Sequence, residues 1–155
     1  MGVLTDYFSA PSDQVAATAL GRAGGPGTAA DGPPAAAPFD TVQLKDIDPV
    51  VNLGTLESIL TGVDYHVITA NPDHGRLISQ RDDHGPWVIA VSAALQAALA
   101  TADSDQLAQA DIPWTRTEEF RWAAPQSLLW VIEELAALAR RATAKGERLY
   151  CWTCL

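Results

Sequence analysis

Two cysteines, Cys151 and Cys154, lie three positions apart in the run Arg148-Leu149-Tyr150-Cys151-Trp152-Thr153-Cys154-Leu155, and they are the only thiols in the chain. A C-x-x-C pair can run dithiol redox chemistry or supply half of a zinc site. Redox pairs of this kind open a helix, whose N-terminal field lowers a thiol pKa, whereas here only Leu155 follows Cys154. A zinc knuckle needs a turn and two further ligands, and there is no second cysteine pair. On a strand, residues three apart point to opposite faces, so Cys151 would join Leu149 and Thr153 while Cys154 joins Tyr150 and Trp152. The residue types therefore predict an internal strand over 148–154 with structural, reduced cysteines, no metal and no cofactor. Thiol or metal chemistry is the weakest functional reading.

The densest group of side chains able to bind something is Pro113-Trp114-Thr115-Arg116-Thr117-Glu118-Glu119-Phe120-Arg121-Trp122. As a pocket, Trp114 and Trp122 would stack a ligand, Arg116 or Arg121 would hold an anionic or carbohydrate-like group, and Glu118 or Glu119 would serve as acid or base. As plain structure, Thr115 and Glu118 fit a capping box that starts a helical turn, with the rings in the core. Trp130 is a separate candidate. In a helix turning about 100° per residue it falls opposite the apolar stripe, beside Glu133 and Glu134, where a large ring is either a contact anchor or part of a second core layer.

The histidines, His66, His74 and His84, match no metal spacing; His74 and His84 read as exposed turn residues and His66, among apolar neighbours, as partly buried. No phosphate loop, nucleophile elbow or Ser/His/Asp ordering is present. The triplet Asp-His-Gly recurs at 73–75 and 83–85, in turns where those residues are ordinary.

The elements that must position these residues follow from periodicity and caps. Ser12 caps a short helix over 12–20. Gly21 to Pro38 carries five Gly, four Pro and six Ala, and predicts a flexible surface loop with almost nothing to bury. Phe39 to Leu44 alternates as a strand does. Asp48-Pro49 starts a helix that Gly62 ends. Residues 71–86 are turn-rich, and Trp87–Val91 is a short buried strand. Ser92 caps a helix carrying Leu95, Ala98, Leu99 and Ala102 on one face, and a second short helix covers about 105–110. The strongest helix runs from about Pro125 to Lys145 on a stripe of Leu128, Ile132, Leu135, Ala139 and Ala142, widened by Val131 and Leu138, and Gly146 stops it before the terminal strand. Helices dominate without a βαβ alternation, so the class is α+β in a single compact domain over 1–155.

Composition sets the partner class. The chain is 48% hydrophobic and 19% charged, with a net charge of −9. An acidic surface disfavours nucleic acid and anionic membranes, both of which need a basic face, and favours a basic protein partner. No apolar run is long enough to span a membrane, and the start lacks the charged and apolar regions of a signal peptide, so a cytoplasmic location is expected. Arg outnumbers Lys eight to two and Ala is abundant, a usage associated with GC-rich bacterial genomes.

The early Tyr7-Phe8, the run Lys45-Asp46-Ile47-Asp48, Leu56 and the helix ending Leu60-Thr61-Gly62 resemble the small bacterial family of unknown function typified by YfbM. A strand leading into a leucine-rich helix, and a long last helix running into a terminal strand, agree with it. The chain departs at Pro49-Val50-Val51, where that family carries an aromatic. The resemblance implies an α+β fold and no activity. The leading expectation is a non-enzymatic, acidic interaction domain; the rival is a small enzyme or ligand-binding protein with its pocket at Trp114–Trp122.

Overall fold

The structure is a computed structural model that describes residues 2–30, 36–124 and 127–155. Its centre is the strand at the end of the chain. Here β1 is Leu4–Ala10, β2 Thr41–Lys45, β3 Leu77–Gln80, β4 Trp87–Ala90 and β5 Arg148–Cys154. They form one sheet in the order β2-β1-β5-β4-β3 with every pairing antiparallel. Thus β5 lies between β1 and β4, as its aromatic and thiol-bearing sequence predicts for a strand covered on both faces. Leu149 and Cys151 point into the larger core, while Tyr150 and Trp152 point into the smaller one. The two cysteines are free and lie on opposite faces, and burial pushes the Cys151 thiol well up, away from thiolate chemistry.

The larger core is closed by α2 (Val51–Thr61), α4 (Ala93–Thr101), α5 (Ser104–Thr115) and α6 (Leu129–Ala144). Every residue of the expected α6 stripe is buried. The expected start at Pro125 lies outside the described residues, and the helix begins at Leu129. Ser92 caps α4 by accepting from the Leu95 N–H at 3.1 Å. Asp48 accepts from the N–H groups of Val50 and Val51 at 2.8 and 2.6 Å, so it organises the first turn of α2. Gly62 ends α2 in the left-handed conformation, φ 73°. Gly54, unfavourable inside a helix, is needed there: a Cβ would stand 2.9 Å from His74 and 3.0 Å from Tyr65.

Four elements depart from the periodicity reading. β1 carries the mixed run Leu-Thr-Asp-Tyr-Phe-Ser-Ala, which reads as no element because both of its faces are covered. α3 (Tyr65–Ala70) is too short to show a period, and β3 is a four-residue strand inside the turn-rich region. α5 runs on to Thr115, with Pro113 inside its last turn, well beyond the short helix expected at 105–110. His66 is exposed rather than partly buried, and His74 is half-buried, while His84 is exposed as expected.

The smaller core holds Phe8, Ala10, Val88, Ala90, Tyr150 and Trp152 against α1 (Asp13–Ala17) and the 3₁₀ turn Thr18–Gly21. The Gly/Pro/Ala segment continues this layer. Its composition offers little to bury, yet Arg22 is 4% exposed. The guanidinium donates to the carbonyls of Thr28 at 2.6 Å, Ala37 at 3.1 Å and Pro26 at 3.4 Å, and lies 4.3 Å from the centre of the Phe39 ring. Among its described residues the segment is thus gathered on itself by a cation bonded to backbone oxygens, and the Phe39 ring beneath that cation packs on Phe8 of β1 with ring centres 5.0 Å apart, partners that composition does not reveal. Arg22→Ala should cost about 2–3 kcal/mol by leaving buried carbonyls without a donor. That corresponds to a fall of roughly 4–12 °C in melting temperature for a domain of this size. An unchanged thermal transition would show that the segment does not depend on this contact.

Candidate binding surface

The ligand-binding constellation expected at 114–122 does not converge. α5 ends as it delivers Trp114 inward: the ring is fully buried and its Nε1–H donates to the carbonyl of Asn52 in α2 at 3.0 Å. Phe120 packs edge-on against it, ring centres 4.8 Å apart. Trp114 is therefore a clamp between α5, α2 and the following 3₁₀ turn, Glu118–Phe120. Thr115 makes no capping box; its hydroxyl is directed at the carbonyl of Asp111 at 2.7 Å and at Asp111 Oδ1 at 3.0 Å. Glu118 and Glu119 stand on the surface. The Glu118 carboxylate is 3.8 Å from Arg121, a solvent-exposed ion pair that holds little in place. Arg116 and Arg121 do share a cleft of about 510 Å³ with Asp111, Ile112 and Phe120, but neither glutamate lines it.

Trp122 instead lines a different depression, of about 590 Å³, and Trp130 lines the same one. Trp122 is 66% exposed and Trp130 55%, so both indoles present a large apolar face to solvent. Their common cleft lies against the strands β1 and β2 and also takes in Leu4, Asp6, Gln43 and Lys45. Trp130 and Gln43 belong as well to a neighbouring depression of about 450 Å³ lined by Phe39, Thr41 and Glu134. Two aromatics read separately from the sequence are thus brought to one surface. α6 turns its apolar stripe inward and leaves Trp130 outward, which rules out the second core layer. Of the residues that sequence reasoning passed over, Asp6 had a signal: it is the one charged side chain in an aromatic, β-branched run. Gln43 and Lys45 had none beyond strand alternation.

Asp6 points to the smaller face of the sheet, opposite Trp152 and Gln43 in the strand pairing, and its residue is 5% exposed. Gly25 closes over it with φ 82°; a Cβ there would stand 3.1 Å from Asp6 Oδ2 and 3.3 Å from the Trp152 ring. No hydrogen bond to the carboxylate is made among the described residues. Burial pushes its pKa up to about 6. Near neutrality it is therefore an ionised carboxylate lacking a cation. Other acids are better served: Arg76 holds Asp13 and Arg141 holds Asp40, both at 2.8 Å, and both carboxyls lie below the usual range because of those arginines. Among the described residues no group of three or more His, Cys, Asp or Glu side chains is arranged to hold a metal ion.

A carboxyl whose folded pKa is raised above its unfolded value binds more protons when folded, so its contribution falls as pH rises. For Asp6 the penalty is absent below about pH 4, grows through pH 4–6 and is complete above that. Asp6→Asn should therefore gain stability over the natural chain by about 1–3 kcal/mol on going from pH 4 to pH 7. Urea unfolding of both proteins at matched pH values measures this difference, and a constant gap across the range would contradict it.

In comparison with known proteins, this chain matches no family model, no curated protein and no solved structure.

Proposed function

We propose that this is an acidic, non-enzymatic interaction domain of the bacterial cytoplasm, and that it binds a protein with a basic face through the cleft shared by Trp122 and Trp130. The observation that carries the reading is the pairing of two indoles, each more than half exposed, at one cleft whose buried wall includes Asp6. Tryptophan is enriched among the residues that carry binding energy, because it buries a large rigid surface with little entropy loss. The charge pattern supports a basic partner. Arg22 is enclosed by carbonyls, and Arg76, Arg141, Lys145 and Arg148 lie within salt-bridge distance of acidic side chains. Each such pair also neutralises an acid, and the net charge of −9 comes from the 19 acidic against 10 basic residues. The helix ending Leu60-Thr61-Gly62 and the passage of α6 into β5 keep the resemblance to the YfbM-like family within this proposal.

A small-ligand function is the second reading, favoured by Arg116 and Arg121 sharing one cleft. The two separate by mutation. Trp130→Ala and Trp122→Ala should each weaken capture of the native partner at least about tenfold, since truncating a central aromatic anchor costs about 2 kcal/mol or more. Their melting temperatures should stay within a few degrees of the parent, as both rings are largely exposed. Partner association should also slow as salt rises to physiological strength, where charges are screened beyond about 8 Å. Quantitative pull-down and stopped-flow association check these outcomes. Loss of binding in Arg116→Ala with both tryptophan variants unaffected would transfer the function to the second cleft.

A further inference from the structure

The cleft runs along an open strand edge. β2 pairs with β1 on one side, and among the described residues nothing pairs on the other. The register shows which backbone groups are free. Ser9 N–H donates to the Asp40 carbonyl at 3.1 Å, and Asp46 N–H to the Val3 carbonyl at 2.9 Å. In an antiparallel ladder, hydrogen-bonded pairs alternate with non-bonded ones. Tyr7–Val42 and Thr5–Leu44 are therefore the bonded pairs between those ends, and the N–H and C=O groups of Thr41, Gln43 and Lys45 point away from β1. The three residues with outward-facing backbone are also the β2 residues whose side chains share the smaller face with Asp6. Thr41 and Gln43 line one depression, Gln43 and Lys45 the other, and Trp130 stands beside both.

The opposite edge of the sheet is different. β3 is four residues long and its pairing with β4 shifts register between Leu77 and Ser79, a bulge of the kind that blunts an edge. β2 has five residues, with no bulge and no proline. It is the flat, regular edge, and it is the one flanked by exposed tryptophans.

Resting on the binding surface proposed above, we propose that the partner docks as an extended basic peptide segment that adds to β2 as a sixth strand. Main-chain bonds would run to Thr41, Gln43 and Lys45, apolar side chains would alternate toward Trp130, and Lys or Arg side chains would reach past Gln43 toward Asp6. The occupant follows from complementarity. Strand addition gives affinity through the backbone and specificity through pockets at alternate side chains, which is what the two depressions supply. Asp6 on the sheet side and Glu134 on the helix side call for positive charge along the middle of the groove, with Lys45 the cation at its far end. A second copy of this chain fits less well, because it would bring another −9 of net charge to a chain that already carries −9.

The decisive variant is Gln43→Pro. Its N–H points away from β1, so proline removes an outward donor and blocks the edge without breaking an internal ladder bond. The probe is a displayed library of random twelve-residue peptides selected on the intact protein. Selected sequences should alternate Lys or Arg with apolar residues, and synthetic copies should bind at least about tenfold more weakly to Gln43→Pro, the loss of one or two main-chain bonds plus the steric block. N-methylating alternate residues of the peptide should abolish binding in one phase of alternation and spare it in the other. Hydrogen exchange at the Thr41, Gln43 and Lys45 amides should slow on binding. A circular dichroism spectrum and melting temperature for Gln43→Pro close to the parent establish that its fold is kept; should it unfold, the N-methyl series and the amide protection decide alone. Selection of no peptide, selection of acidic or helical ones, or equal binding by both N-methyl phases overturns the proposal. Peptides lost with Trp130→Ala but retained by Gln43→Pro would overturn strand addition while leaving the tryptophan surface intact. A concentration-dependent dimer abolished by Gln43→Pro would assign the edge to a second copy instead.

Discussion

β5 is covered on both faces, and that single condition organises the rest of the molecule. A strand in the middle of a sheet with helices on one side and a packed loop layer on the other must carry apolar side chains at nearly every position. Leu149 through Trp152 are each no more than 4% exposed. Its neighbours come from far away in sequence: Leu4 is paired with Cys154, and Trp87 with Thr153. The sheet is therefore complete only when β5 joins, and β1 gains its second partner through it. Such long-range closure must offset its chain entropy before it is rewarded, which ties cooperativity of the whole domain to the terminal strand. α6 serves the same end, since it lays its buried stripe on the sheet and hands the chain to β5 through Gly146 in the left-handed conformation.

Electrostatics is divided between the inside and the outside in an uneven way. Several cations are consumed in holding elements together. Arg22 gathers loop carbonyls, Arg148 joins β5 to Asp73 at 3.2 Å, and Arg76 joins Asp13, which also accepts from the Tyr150 hydroxyl at 2.7 Å. These contacts use positive charges for architecture, each neutralising an acid beside it, and the net charge of −9 is carried by the acids that have no such partner. Asp6 is the exception on the acidic side. It has been drawn into the sheet without a counter-ion, although arginines are spent elsewhere within the same layer.

Legibility in the sequence follows local physics. Where one face is apolar and caps are present, the reading holds: the Ser92 cap, the Gly62 stop, the α6 stripe and the placement of the two cysteines are all fixed by neighbours a few residues away. Where burial is two-sided, as in β1, alternation vanishes and the strand is invisible. Arg22 was hidden because its partners are backbone oxygens, which every sequence possesses. The 113–122 segment fails for a geometric reason. A helix that ends at Thr115, two further residues and a 3₁₀ turn give no constant angle per residue, so spacing cannot tell that Trp114 points inward and Trp122 outward. The six side chains share a segment and not a site. Trp130's direction, opposite the apolar stripe, could be read because it sits on a regular helix, where 100° per residue carries that information, whereas whether a second layer covers it could not.

The remaining question is why one part of the surface keeps so many unfavourable choices. Two tryptophans stay in water, a carboxylate is buried without a cation, and a flat strand edge is left open where a bulge or proline would protect it. Each feature alone has a bland account, since exposed aromatics and edge strands occur singly on many proteins. Their coincidence does not, because they are contributed by α6, β1, β2 and the turn after α5, elements with no local reason to share a defect. Sequences that specify a fold agree across levels, and disagreement concentrates where something other than stability is being served. Elsewhere the devices that protect a fold are in place: β3 is bulged at the other edge, and glycine stands where α2 meets Tyr65 with no room for a Cβ. The groove along β2 is the place where stability has been given up, and an extended basic strand is the occupant that would offset all three deficits together.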